Sequence, residues 1–364
     1  MDQSRLIEIF LEAAAINALS FNEKPVADYI KKFLNKFPID ITEDDSFKKS
    51  DSNSGNIICR IGNGGNFLLT AHMDTARPTK ELRPVIHKDR IESSGDTVLG
   101  VDNRAGVAIL LYVLETIFKE RLPVKDFTIA FITCEETTLS GSKNLGVNGE
   151  IKNCFVFDSS YRPGNFINTA CGSLGFKIII KGRASHSGLA PEKGINSLAA
   201  ACKAVSNIQL GKIDEETTVN IGKFICDSAV NVIPEETELE GEIRSFQNRK
   251  IKSKMNEIEK IFNNAAKEVG ASVEIVTNWD FKPYQISEDS EVFKETVNAL
   301  NKVGLTPIPR KSLGGSDANS FNERGMQAVN LGIGAQNPHS NNEFILIKDL
   351  VNSAEIALEI VGKK

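Results

Sequence analysis

Long hydrophobic runs are absent from this 364-residue chain. No stretch approaches the about 18–20 apolar residues that cross a bilayer, so no membrane partner is expected. Basic blocks, and stripes of bases interleaved with aromatics, are absent too. The 43 bases and 48 acids are dispersed and leave a formal charge of −5, which argues against nucleic acid as a partner. No repeat or low-complexity segment occurs. H-E-x-x-H, the Walker A loop and G-x-S-x-G are all missing, which removes the main rival hydrolase templates. The six cysteines (59, 134, 154, 171, 202 and 226) stand singly with no C-x-x-C. That usage fits buried free thiols in a reducing cytoplasm, the expected compartment, better than disulfides. The opening MDQSRLIEIFLEAAAINA carries acids inside its apolar pattern and reads as an amphipathic helix rather than a signal peptide.

What is present is an ordinary globular composition, 41% hydrophobic and 25% charged. At this length two domains are expected. NIICRIG, NFLLTAHM, DFTIAFITC and NCFVFDSS are short apolar runs, and NRAGVAILLYVLETIFKERL between them is strongly helical. Continuous apolar strands alternating with helices predict an α/β fold, with a mostly parallel central sheet and helices on both faces. The pattern changes near Gly172. GFKIIIKGRA, a helix around 194–207, TTVNIGKFIC, TELEGEIRSF, a charged helix over about 248–268 and SVEIVT follow in the order βαββαβ. That is the ferredoxin-like motif, with helices on one face of an antiparallel sheet. The α/β pattern then resumes. The expected boundaries are 1–172 and 285–364 for the larger domain and 173–284 for the inserted one.

The chemistry is concentrated where apolar runs end. NFLLTA runs into His72, FTIAFITC into Glu135-Glu136 and NCFVF into Asp158, while MQAVNLGIG precedes His339 by a short loop. Open α/β sheets bind ligands beyond the carboxyl ends of their strands, where neighbouring loops diverge. Asp102, at the start of a helix, adds a fifth candidate ligand. Only four histidines exist, and two stand in these places. Two imidazoles with several carboxylates suit Zn²⁺, Mn²⁺ or Co²⁺ better than Ca²⁺ or Mg²⁺. Five ligands exceed the needs of one catalytic zinc. Shared between two ions by a bridging carboxylate, they suit a hydrolase whose metals lie ~3.5–4 Å apart. Asp74 is well spaced to hydrogen-bond the second nitrogen of His72. Adjacent residues at a strand end point apart, so one of Glu135 and Glu136 binds metal while the other accepts a proton from the attacking water.

HMDT, GVDNRAGVA, CEETTLSGS, VFDSS and NPHSNNE, in this order, resemble the metal-site motifs of the M20 family of di-zinc peptidases. The similarity extends over nearly the whole chain and is greatest to the peptidase T branch of tripeptide aminopeptidases. The resemblance implies two Zn²⁺, with Co²⁺ or Mn²⁺ as substitutes. It implies that His72 and Asp158 bind one ion, Glu136 and His339 the other, and that Asp102 bridges them through a residue followed by a cis peptide. Glu135 is the implied general base and Asp74 the residue that orients His72. In the inserted domain, which the resemblance makes a lid, KGRASHSG implies that His186 steadies the oxyanion, often from a partner subunit. NVIPEETELEGEIRS implies that Asn231 and Arg244 hold the substrate, and LGGSDANSF offers Gly315 and Ser316 as substrate contacts. Asn103 stands where the branch usually has a second acid.

The expected activity is hydrolysis of the amino-terminal bond of short peptides, with a homodimer formed through the lid. An N-acyl amino acid deacylase is the alternative on the same site, and a metal-free scaffold the alternative from another class. Each residue also has a plain structural reading: Asp74 as a turn cap, Arg244 as the partner of a nearby acid, His186 as an exposed loop histidine.

Overall fold

The computed structural model describes residues 1–147 and 149–363. Its chain divides into two units, one of Met1–Thr169, Gln285–Ser312 and Ser316–Lys364, the other of Ala170–Tyr284 and Leu313–Gly315. The short piece Leu313–Gly315, expected in the larger domain, belongs to the smaller unit for a local reason. Its Leu313 carbonyl accepts from Arg244 Nη1 at 2.9 Å and from Cys171 Sγ at 3.0 Å. A Cβ on Gly315 would collide with the Phe281 ring.

In the larger unit, Phe127–Ile132, Phe67–His72, Asn153–Ser159 and Gln327–Gly332 lie side by side in that order, all parallel. Phe67–His72 and Phe127–Ile132 are buried at every position. Continuous apolar runs of this kind belong in the middle of a sheet covered on both faces. Antiparallel strands flank the parallel core: Ile57–Ile61 and Asp40–Glu43 on one side, Asn165–Ala170 on the other. The register matters for the site. His72 pairs with Ile132, so the chain leaves both strands at the same level, and Asp158 is the penultimate residue of the adjacent strand.

The helix Val101–Glu120 is buried on nearly all sides, packing against the His72 strand and against Gln3–Ala14 and Ile347–Val361. Gly106 lets it approach, since a Cβ there would meet the Phe157 carbonyl and the Ala71 side chain.

The smaller unit carries an antiparallel sheet whose four long strands lie in the order Thr217–Ile225, Glu236–Ser245, Gly172–Lys181, Ser272–Phe281, with the short strand Gly211–Lys212 at the edge beside the first. Numbered along the chain this is 2-3-1-4, the order a βαββαβ motif requires. Leu174, Phe176, Ile178 and Ile180 alternate with half-exposed neighbours and face the core. Ile251, Met255, Ile258 and Phe262 pack against them from the helix Asn248–Val269, at a spacing of one helical face. The other helix begins at Ser197, later than its apolar pattern implies, because the Asn196 side chain accepts from Ala199 N at 2.9 Å and caps it there.

The cysteines are all free, and four are buried as expected. Cys202, on the helix Ser197–Val205, is exposed, and Cys226, just past the strand Thr217–Ile225, is half-buried. Among the described residues no helix is long and apolar enough to cross a membrane.

Candidate metal centre

The predicted ligands converge at the carboxyl end of the parallel strands, entirely within the larger unit. His72 Nε2 lies 3.0 Å from Asp102 Oδ1 and 3.3 Å from Asp158 Oδ1. His339 Nε2 lies 3.2 Å from Asp102 Oδ2 and 3.1 Å from Glu136 Oε2. The two oxygens of Asp102 therefore face different imidazoles. Three overlapping triplets, His72–Asp102–Asp158, His72–Glu135–Glu136 and Asp102–Glu136–His339, each bring ligand atoms within 4.8 Å of one another. The Asp102–Asn103 peptide bond is cis. Asn103 is buried, donates to the Phe157 carbonyl at 2.8 Å and accepts from Gly106 N at 3.0 Å. The first bond needs an amide donor, which a carboxylate at this place would lack.

Asp74 is buried beside His72, whose Nδ1 lies 3.1 Å from the Asp74 carbonyl and 3.3 Å from its Oδ1. The same carboxylate accepts from Glu135 N at 3.2 Å, Glu136 N at 3.1 Å and Ser20 Oγ at 2.7 Å. It thus holds the glutamate pair as well as the imidazole. That second task is invisible in the motif.

The crowding of acids sets the electrostatics. Burial pushes the Glu135 carboxyl well up; His72 opposes this, while Asp158, Asp317 and Glu136 add to it. Glu136 is raised chiefly by burial. Burial also resists ionisation of Asp102, but hydrogen bonds from His339 and His72 outweigh it and hold that carboxyl below its usual range. His339 is raised to about 10 by Asp102 and Glu136. One Glu136 oxygen, Oε1, is buried without a hydrogen-bond partner. Buried carboxylates bunched in this way need positive charge, and mixed nitrogen and oxygen donors suit Zn²⁺, Co²⁺ or Mn²⁺. The residues present fit such ions.

The remaining expected site residues, other than Ser316, belong to the smaller unit. His186 is exposed, and its Nδ1 accepts from Gly188 N and Leu189 N at 3.2 Å each. It pairs with Val232 across a short antiparallel ladder, and Asn231 stands just outside it, with Ser187 N donating to the Asn231 carbonyl at 2.9 Å. Arg244 makes a two-pronged pair with Glu242 at 3.0 and 2.9 Å and lies over the Phe281 ring. Gly315 packs on that ring. Ser316, in the larger unit, begins the helix Asp317–Glu323, with its N donating to Asn319 Oδ1 at 3.1 Å.

Three buried charged residues around the site have no sequence signature that singled them out. Glu23 accepts from Cys134 N at 2.9 Å. Arg104 donates to the carbonyls of Ala13, Ile16, Ala18 and Met73, and burial lowers its pKa to about 10. Asp317 is fully buried and pushed up to about 7 by burial, with Asp158 and Asp74 adding to the shift. Glu343 is a further buried acid beside the site. It accepts from Gly100 N at 2.6 Å and Asp102 N at 3.1 Å, fixing the backbone that carries Asp102.

Comparison with known proteins places this geometry. Residues 168–270 match the peptidase dimerisation domain of M20 enzymes, and residues 56–167 match peptidase family M28. The Bacillus subtilis protein YqjE is 30% identical over 367 residues, covering 99% of this chain and 98% of its own. A Staphylococcus aureus tripeptidase is 30% identical with a TM-score of 0.93, covering 99% of this chain and 98% of that one. This chain belongs to the M20 peptidase family. Aminopeptidase PepT from Bacillus cereus is similar to the same extent, at 29% identity and TM-score 0.90, over 99% of this chain and 98% of that one. The protein is thus a peptidase of the M20 family, similar to peptidase T. The M28 match is confined to the segment carrying His72, Asp102, Glu135 and Glu136, whereas the inserted unit is the part that matches M20.

Proposed function

We propose that this M20 peptidase is a di-zinc exopeptidase that removes the amino-terminal residue of short peptides, with Glu135 as general base. The observation that best supports this is Asp102, whose two oxygens face His72 and His339 at 3.0 and 3.2 Å, with Asp158 and Glu136 completing the two sides. In this reading His72 and Asp158 hold one ion, Glu136 and His339 the other, and Asp102 bridges. Bound there, the ions would polarise the scissile carbonyl and make water a nucleophile near neutral pH.

The chain's own part is proton transfer and alignment. Glu135, raised by burial and by neighbouring acids, takes a proton from the attacking water and delivers it to the leaving amine. Asp74 keeps the His72 ring and the 135–136 backbone in place. By family pattern, His186 steadies the oxyanion, and Arg244, Asn231, Gly315 and Ser316 contact the peptide. The Glu242 partner fixes the Arg244 guanidinium plane. A homodimer through the smaller unit and a cytoplasmic location complete the proposal, the former supported by the dimerisation-domain match.

The test is a panel of free-amine tripeptides and N-acylated amino acids, each assayed with and without chelator. Release of the amino-terminal residue, abolished by chelator, is expected. Turnover of the blocked substrates alone would make the protein a deacylase instead.

A further inference from the structure

The strand Phe127–Ile132 ends one residue before Thr133, and the next four amides find no partner strand among the described residues. Each is instead taken by a side-chain oxygen. Thr133 N donates to Asn56 Oδ1 at 3.0 Å, Cys134 N to Glu23 Oε1 at 2.9 Å, Glu135 N to Asp74 Oδ1 at 3.2 Å and Glu136 N to Asp74 Oδ2 at 3.1 Å. All three acceptor residues are buried. The chain also turns through a left-handed residue at Cys134, with φ of +55°, a conformation that a side chain other than glycine adopts only when its surroundings enforce it.

Glu23 is central to that enforcement. It is 0% exposed and stands at the start of the helix Lys24–Leu34. Its Oε1 also accepts from Phe21 N at 3.0 Å and Cys134 Sγ at 3.3 Å, and its Oε2 from Ser52 Oγ at 2.6 Å. The same segment reaches the neighbouring strand end: Ser20 Oγ donates to Asp74, and the Ala18 carbonyl accepts from Thr75 N at 3.1 Å. Residues 18–23 therefore tie together the two strand ends that carry His72 and the glutamate pair.

We propose that Glu23 is a positioning residue for the glutamate pair: with Asn56 and Asp74 it clamps backbone 133–136 and so aims Glu135 and Glu136. The amide half of the proposal stands on geometry alone, and the catalytic half rests on the roles proposed above for that pair.

Site-resolved amide exchange of the full chain without added metal is the test, joined to tripeptide kinetics of the metal-loaded protein. In the unaltered protein the 133–136 amides are expected to exchange as slowly as sheet amides. Exchange at open-loop rates would overturn the clamp before any variant is made. Glu23→Ala should speed exchange at 133–136 while leaving Phe67–His72 and Asn153–Ser159 unchanged. It should lower kcat by about 10–100-fold, the usual cost of losing a partner behind a ligand, with KM little altered. Glu23→Gln should recover most of both, since its carbonyl can still accept from Cys134 N and its amide can donate to Ser52. Equal acceleration throughout the larger unit, or no rescue by glutamine, would reduce Glu23 to a general stabiliser and sink the proposal. Complete inactivity of the unaltered protein would refute the peptidase reading, while the exchange data would still decide the clamp.

Discussion

The two units handle polarity in opposite ways. In the smaller one, charged side chains stay on the outer faces. Lys177 and Lys223 link Glu238 and Glu240 in a ladder across three strands, while the inner face is aliphatic and aromatic. In the larger one, Glu23, Asp74, Arg104, Asp317 and Glu343 are all buried around one end of the sheet. Burying a charge costs several kcal/mol unless it is paired or hydrogen-bonded. Such a concentration therefore marks where geometry is held for chemistry, and the smaller unit shows what the same chain does where no such site is built.

The sharpest way to break this contrast is to remove the proposed general base. Glu135→Gln should lower turnover by about 10²–10⁴-fold while leaving metal content and the melting temperature near their original values. A variant that kept near-normal rate would show the buried acid to be structural.

Next in size is the apolar core of the smaller unit. Ile258→Ala should cost about 2–5 kcal/mol, read by denaturant unfolding, because the side chain is fully buried between helix and sheet. Loss of the metals instead would contradict the separation of roles.

A smaller effect is expected at Glu115. Burial resists its ionisation, but Arg5 and Lys119 outweigh that and hold its carboxyl below the ordinary value. The resulting stabilisation is complete above the unfolded-state pKa near about 4.3 and is lost as pH falls through the lower folded-state value. The melting temperature should fall over that acid range, and Glu115→Gln should lessen the fall. Least of all, Lys223→Ala on the exposed ladder should leave the melting temperature unchanged within error, since solvent-exposed ion pairs contribute little.

What could be read from sequence follows the same division. Ile251, Met255, Ile258 and Phe262 announce their face by spacing alone, and the alternation of Leu174 through Ile180 announces the other wall. His72 and Asp158 were legible because each ends an apolar run, and Asp102 because its motif is distinctive. Glu23 was not. It stands before Lys24-Pro25 at a helix start, where an acid is unremarkable, and its partner Cys134 is 111 positions away. Arg104 sits within the motif but looks like any helix arginine, since backbone carbonyls far away in the chain leave no mark on the local pattern. The pairing of Arg244 with Glu242 was nearer to hand, because residues two apart on a strand share a face. Leu313–Gly315 was assigned to the other unit because its attachments, to Arg244, Cys171 and Phe281, are all tertiary.

The account stands on Asp102 serving two cations at once. Elemental analysis of protein loaded with zinc and then dialysed tests it most directly. About two zinc ions per chain are expected, as a bridged pair requires. One ion or none in the folded, fully loaded protein would contradict it.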